Sequence, residues 1–72
     1  MNIIGKQLQD IRKEKRVTQE EMVARLQVLE MDISRSTYSK VEMGLRQVKD
    51  YEVLLFAKAL QVKVELLFQG GE

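Results

Sequence analysis

The sequence predicts an all-α fold, a compact bundle of five helices, and three observations carry that expectation. No proline interrupts the chain, and its four glycines stand only at positions 5, 44, 70 and 71, so long stretches contain no helix breaker. Within those stretches apolar residues recur at helical rather than strand spacing. Residues suited to capping, Thr18, Ser34 and Asp50, precede three of the apolar patterns.

In the first segment Ile4, Leu8 and Ile11 fall at i, i+4 and i+7, one face of an amphipathic helix, and the polar run RKEKR ends it near Lys15. Thr18 caps the second helix. Its hydroxyl can accept from the Glu21 N–H while the Glu21 carboxylate reaches back, the T-x-x-E capping box. Met22, Val23 and Leu26 form the buried stripe, and the helix is expected to run to Leu29 or Glu30. Met31 and Asp32 then turn the chain, and Ile33 packs inward ahead of the next cap. Ser34 opens a short third helix, Arg35 to Glu42, in which Tyr38 and Val41 are spaced to face inward together. Gly44 stops it, because a left-handed residue just past a helix costs glycine nothing. Asp50 caps a fourth helix with Val53, Phe56, Ala57 and Leu60 on its core face, and a short fifth over Val64 to Phe68 closes the bundle. The ending QGGE, residues 69–72, reads as a flexible tail.

Seventy-two residues suit one domain, 1–72, around one core. Without cysteine or histidine the chain offers no disulfide, no zinc site and no usual nucleophile–base pair, so no catalytic residue, metal or cofactor is expected, and no enzyme. It has no apolar run of eighteen residues, and MNIIGKQLQD lacks the pattern of a signal peptide; a cytoplasmic protein without a membrane partner is expected. Twelve Lys or Arg against eleven Asp or Glu leave a net charge of only +1. The charge is unevenly spread: Arg35, Lys40, Arg46 and Lys49 face a single acid, Glu42, between residues 35 and 49, whereas residues 20–32 hold four acids and one arginine. The outward positions of the third helix, Arg35, Ser36, Ser39 and Lys40, can all hydrogen-bond base edges or phosphates, and none is bulky enough to prevent close approach.

The segments IGKQLQDIRKEKRVTQEEM, ISRSTYSKVEMG and LLFAKALQV resemble, in order, successive parts of the Cro and phage-repressor type of helix-turn-helix domain, the XRE family. The resemblance covers about residues 3–68 and implies a lambda-repressor-like bundle, bacterial or phage-encoded, that binds double-stranded DNA. It places the helix-turn-helix at about residues 18–43. Arg35 and Ser36 match the leading base-reading positions, with Ser39 and Lys40 one turn later. Arg35 is the foremost of these, able to present two donors to guanine O6 and N7; a phosphate contact or a free surface arginine is the alternative. Gln19 matches a position where a side chain and helix-start amides meet a phosphate, or else is a solvent-facing helix start. Ser34 divides between capping alone and capping with a phosphate contact, Thr37 between groove contact and plain helix surface. Arg46 and Lys49 resemble the backbone-gripping segment that binds phosphate. Arg12 and Glu42 match a structural ion pair joining the first helix to the end of the third.

The chain departs from the family between its second and third helices. Gln27 stands where a glycine is usual, and LQVLEMDIS makes the connection about five residues longer, which leaves the helix angle open. Val23 replaces the usual alanine and Met43 the usual asparagine before Gly44. Apolar residues also exceed what one core face needs. Tyr51, Leu54, Leu55 and Ala59 add to the fourth helix and Leu66, Leu67 and Phe68 to the fifth, so Tyr51, Leu55, Leu66, Leu67 and Phe68 are candidates for a homodimer interface. A two-fold dimer would set two recognition helices roughly 34 Å apart on a palindromic operator. A transcriptional repressor without a small-molecule ligand is the leading reading; the alternative is an antitoxin or protein-interaction module in which DNA contact is secondary.

Overall fold

The computed structural model describes residues 2–69. Of the expected flexible tail, residues 70–72 lie outside that range. Four α-helices and one 3-10 turn follow one another, with no strand among the described residues: α1 (Gly5–Glu14), α2 (Gln19–Val28), α3 (Arg35–Glu42), α4 (Asp50–Leu60) and a closing 3-10 turn (Val64–Phe68). The fifth helix is thus a single tight turn. Its five residues are too few to offset the cost of nucleating an α-helix, and i→i+3 bonding suits so short a segment.

The starts of α2, α3 and α4 each have a local cause. Thr18 and Glu21 make the full capping box of α2, with Thr18 Oγ1 accepting from Glu21 N at 3.0 Å and Glu21 Oε1 from Thr18 N at 2.9 Å. Ser34 Oγ accepts from Thr37 N at the start of α3. For α4 the cap is Lys49, not Asp50; Asp50 lies one residue inside the helix, where its carboxylate accepts from Tyr51 N. The carboxylate that satisfies the cap backbone belongs to Glu52, which accepts from Lys49 N at 3.0 Å.

The helix ends share one device. At α1 to α4 in turn, Arg16, Glu30, Gly44 and Gln61 take left-handed backbone angles, with φ of 60°, 68°, 76° and 59°. Behind each, two amides return to the last helical turn: Arg16 and Val17 to Lys13 and Arg12, Glu30 and Met31 to Gln27 and Leu26, Gly44 and Leu45 to Val41 and Lys40, and Gln61 and Val62 to Lys58 and Ala57. This is the Schellman pattern, which satisfies carbonyls the helix leaves orphaned. In the long connection before α3 the turning residue is therefore Glu30, while Met31 and Ile33 are both buried in the core. Asp32 stays exposed between them.

Packing follows from the apolar faces so aimed. α2 packs on α3 and α4, and α1 packs on α3, α4 and the 3-10 turn. Leu8, Met22, Leu26, Tyr38, Val41, Phe56, Leu60 and Leu67 are fully buried at the centre, with the Tyr38 and Phe56 rings edge to face at 6.0 Å. Two residues assigned to spare apolar surface are in fact core. Leu67 is sealed between α1 and α4 and cannot belong to a dimer face; Ala59 is buried where Arg25 of α2 donates to its carbonyl. Val23 is half-buried at the core margin. Gly5 marks the closest approach of α1 to α3, since a Cβ there would come within 2.5 Å of the Val41 carbonyl oxygen and 2.8 Å of that of Glu42.

Three of the four left-handed positions hold a residue with a Cβ. Replacing Glu30 with glycine should stabilise the domain by about 0.5–1 kcal/mol, the left-handed penalty of about 1–2 kcal/mol less the greater entropy that glycine loses on folding. Arg16→Gly and Gln61→Gly should act alike, each raising the melting midpoint by a few degrees. A lower midpoint for Glu30→Gly in thermal melts would contradict the assigned turn.

Candidate nucleic-acid interface

Eight residues of α3 divide cleanly between two environments. Tyr38, Val41 and Glu42 are buried; Arg35, Ser36 and Lys40 are exposed, and Thr37 and Ser39 are half-buried along the boundary. At the helix start the small hydroxyls bond one another. Ser34 Oγ donates to Thr37 Oγ1 at 2.9 Å and lies 3.3 Å from Ser36 Oγ. The result is a low, polar surface with no acid in its first turn and a cation at each end, Arg35 and Lys40.

What fixes this surface lies behind it. The Arg12 guanidinium, from the last turn of α1, meets the Glu42 carboxylate through two parallel bonds, Nε to Oε2 at 2.6 Å and Nη2 to Oε1 at 3.0 Å. Side-chain exposure is 8% for Arg12 and 0% for Glu42, so the pair is closed to water. Arg12 Nη1 donates further to the Val17 carbonyl at 2.7 Å, and Gln19 Nε2 to Glu42 Oε1 at 3.0 Å. One carboxylate thereby joins the end of α1, the start of α2 and the end of α3. Burial pushes the Glu42 carboxyl up, but the hydrogen bonds from Arg12 and Gln19 act against it and the net direction is down; the Glu42 bond holds Arg12 up. The neighbouring Tyr38 phenol is driven up by burial first and by the adjacent Glu42 carboxylate group second, and stays neutral.

Other residues singled out in the sequence are arranged less simply. Gln19 is half-buried and turned inward to Glu42, so its side-chain amide is engaged within the protein. Arg46 is held by Glu52, Nη1 to Oε1 at 3.1 Å and Nη2 to Oε2 at 3.0 Å, and also donates to the Gln47 carbonyl. Lys49 is exposed, with its ammonium 5.9 Å from the centre of the Tyr51 ring. Arg35 approaches Glu20 of α2 at 3.6 Å across the connection.

Three residues that sequence reasoning passed over take part. Glu52 is buried, and the Arg46 bonds hold its carboxyl below the usual range; its place three residues after the Lys49 cap was the available signal. Asn2 donates to the Val41 carbonyl at 3.0 Å and the Arg46 carbonyl at 2.7 Å, and accepts from Gly5 N at 2.7 Å. It thus straps the chain start to the far end of α3 and the following loop; an Asn three residues before the Gly5 amide is a capping signal. Glu20 is the third, visible in the sequence only as one of two acids that suit a helix start. Among the described residues no group of three or more His, Cys, Asp or Glu is placed to hold a metal ion, and no helix is long and apolar enough to cross a membrane.

A family model described as a helix-turn-helix domain matches residues 3–67, which includes all four helices and most of the closing turn. No curated protein and no solved structure matches the chain.

Arg12→Ala would strand the Glu42 charge inside the protein and should cost about 3 kcal/mol, read as a lowered denaturation midpoint. Glu42 and Glu52 hold their protons less tightly folded than unfolded. Their contribution is therefore complete above the unfolded carboxyl value of about 4.3 and is lost as pH falls through the lower folded values. Melting temperature should hold from neutral pH to about 5 and drop steeply below about 4. Glu42→Gln should melt lower at neutral pH and lose part of the acid slope; an unaltered slope would contradict the pairing.

Proposed function

The chain belongs to the helix-turn-helix domain family, and from that premise we propose that it is a sequence-specific regulator of transcription, a repressor that reads duplex DNA with α3 in the major groove. The observation that carries this reading is the division of α3: an outward face of small hydroxyls and two cations, backed by a side anchored through Tyr38, Val41 and the Arg12–Glu42 pair. A groove-reading helix needs that combination, since base edges are reached by short polar or bidentate groups and register is lost if the helix rocks. Arg35 reads a guanine, Ser36, Ser39 and Lys40 read or flank the neighbouring bases, and Ser34, Thr37, the α2 amides at Gln19 and the loop residues Arg46 and Lys49 hold phosphates. The helix-turn-helix occupies about residues 18–43 of a single domain.

Two copies acting on a palindrome form the assembly this reading favours. Tyr51 and Leu54 lie exposed on α4, with Leu55 half-buried beside them. Phe68, 49% exposed, and Ile3, 80% exposed, line a shallow groove of about 260 Å³ with Val48 and Val53. Apolar area of this kind is covered by self-association in a two-fold dimer. Leu66, half-buried, contributes its edge.

Selection of bound duplexes from a random pool, with the native chain and with Arg35→Ala, tests the assignment. The native chain should recover a palindrome, and the variant the same palindrome blurred at one symmetric position, with a loss of about 1–3 kcal/mol against the preferred base. For each phosphate neutralised, affinity should fall by about 0.9 logarithmic units per tenfold rise in salt. Failure to retain any duplex at low salt, with a stoichiometric protein partner recovered instead from the host, would favour the protein-interaction reading.

A further inference from the structure

The Arg46 guanidinium has five N–H donors, and the protein engages three of them. Nη1 donates to Glu52 Oε1 at 3.1 Å and to the Gln47 carbonyl at 3.2 Å, and Nη2 donates to Glu52 Oε2 at 3.0 Å. The carboxylate thus takes the end of the fork, between the two terminal nitrogens. What is left is the side edge, Nε–H and the second Nη2–H, two parallel donors in one plane. Among the described residues Tyr38 Oη is the only buried side-chain polar atom without a hydrogen-bond partner, so the unbonded Nε of Arg46 is open to solvent. Arg12 is the contrast: Glu42 takes its Nε–Nη2 edge and the Val17 carbonyl its Nη1, and the pair is closed to water.

Arg46 is also fixed at its root. Its carbonyl accepts from Asn2 Nδ2 at 2.7 Å. Glu52, in the first turn of α4, accepts in turn from Lys49 N at 3.0 Å, and its side chain is only 7% exposed. A long side chain that ordinarily loses rotamer freedom on gripping an anion is here held in one arrangement by the fold. Resting on the reading of this loop as a grip on the DNA backbone, we propose that Glu52 is a positioning residue for DNA binding: by holding the end of the Arg46 fork, it presents the side edge to two oxygens of one phosphate. By charge alone a carboxylate opposes that phosphate. Its contribution is geometric, and the two effects have opposite signs.

The test compares binding of the selected palindrome and of a scrambled duplex of equal composition, at one salt concentration and below the melting onset of each protein, for the native chain, Glu52→Gln, Arg46→Ala and the double variant. Arg46→Ala should weaken both duplexes alike, by about tenfold, since phosphates carry no sequence information. Glu52→Gln should weaken both by about two- to fivefold, although it removes a negative charge. With Arg46→Ala in place, Glu52→Gln should weaken neither. Tighter or unchanged binding by Glu52→Gln alone, or the same weakening without Arg46, overturns the proposal. A second measurement needs no variant of Glu52. In the native chain the Arg46 Nε–H proton resonance, assigned by its absence from Arg46→Lys, should shift and exchange more slowly with water when the scrambled duplex is added; a resonance that does not respond also overturns the proposal. If Arg46→Ala leaves both affinities intact, the phosphate role of Arg46 fails and that of Glu52 with it, while recovery of the palindrome still supports α3 as the reading helix. A native chain that retains no duplex ends both readings.

Discussion

Between the last turns of α1 and α3, the Arg12 guanidinium and the Glu42 carboxylate meet out of reach of water, and the placement of the outward face of α3 depends on that meeting. A buried ion pair is costly to desolvate and is seldom a large net source of stability. Its value here lies in direction. Two parallel bonds fix the Glu42 side chain, the third Arg12 bond fixes the chain at Val17 just before α2, and Gln19 ties the first turn of α2 to the same carboxylate. Apolar packing is non-directional, whereas this network of bonds specifies direction as well as distance. Gly5 reinforces it by letting α1 approach the α3 carbonyls directly, and Asn2 pins the same end through two backbone oxygens.

The same chemistry recurs on a smaller scale around the surface. Arg46 with Glu52 and Arg35 with Glu20 repeat the pairing of a cation with a carboxylate from a neighbouring element, the first largely covered and the second open to solvent. Lys40, by contrast, makes no ion pair among the described residues. With a net charge of +1 the domain carries no strong general positive field, and its paired cations differ in how far their partners are covered. Depth of burial orders them: the Arg12 pair is closed to water, the Arg46 pair is largely covered, and the Arg35 pair is open to solvent.

Local signals were legible wherever a residue acts within one turn of itself. T-x-x-E fixed the start of α2, Ser34 and Gly44 bracketed α3, and the spacing of Tyr38 with Val41 gave its inward side. Signals failed where a residue works against its type. Arg16, Glu30 and Gln61 adopt the left-handed angle without being glycine, so the ends of three helices lacked their usual marker, and the bend before α3 was placed one residue late. Asp50 has a capping side chain but lies inside α4, because Glu52 satisfies the cap from the third position. Val64 to Phe68 carries an apolar pattern that suits a helix, yet its length permits only a 3-10 turn.

By itself the sequence determined an all-helical chain, the starts of α2 and α3, and the polar character of one face of α3, since these rest on spacing and on bonds between near neighbours. Only the tertiary structure decided that Leu67 and Ala59 belong to the core, that Gln19 turns inward, and that Arg35 and Arg46 each meet a carboxylate. Those facts depend on which elements pack together, and a side chain's partner across a helix interface is fixed by distances that no periodicity in one strip of chain can encode.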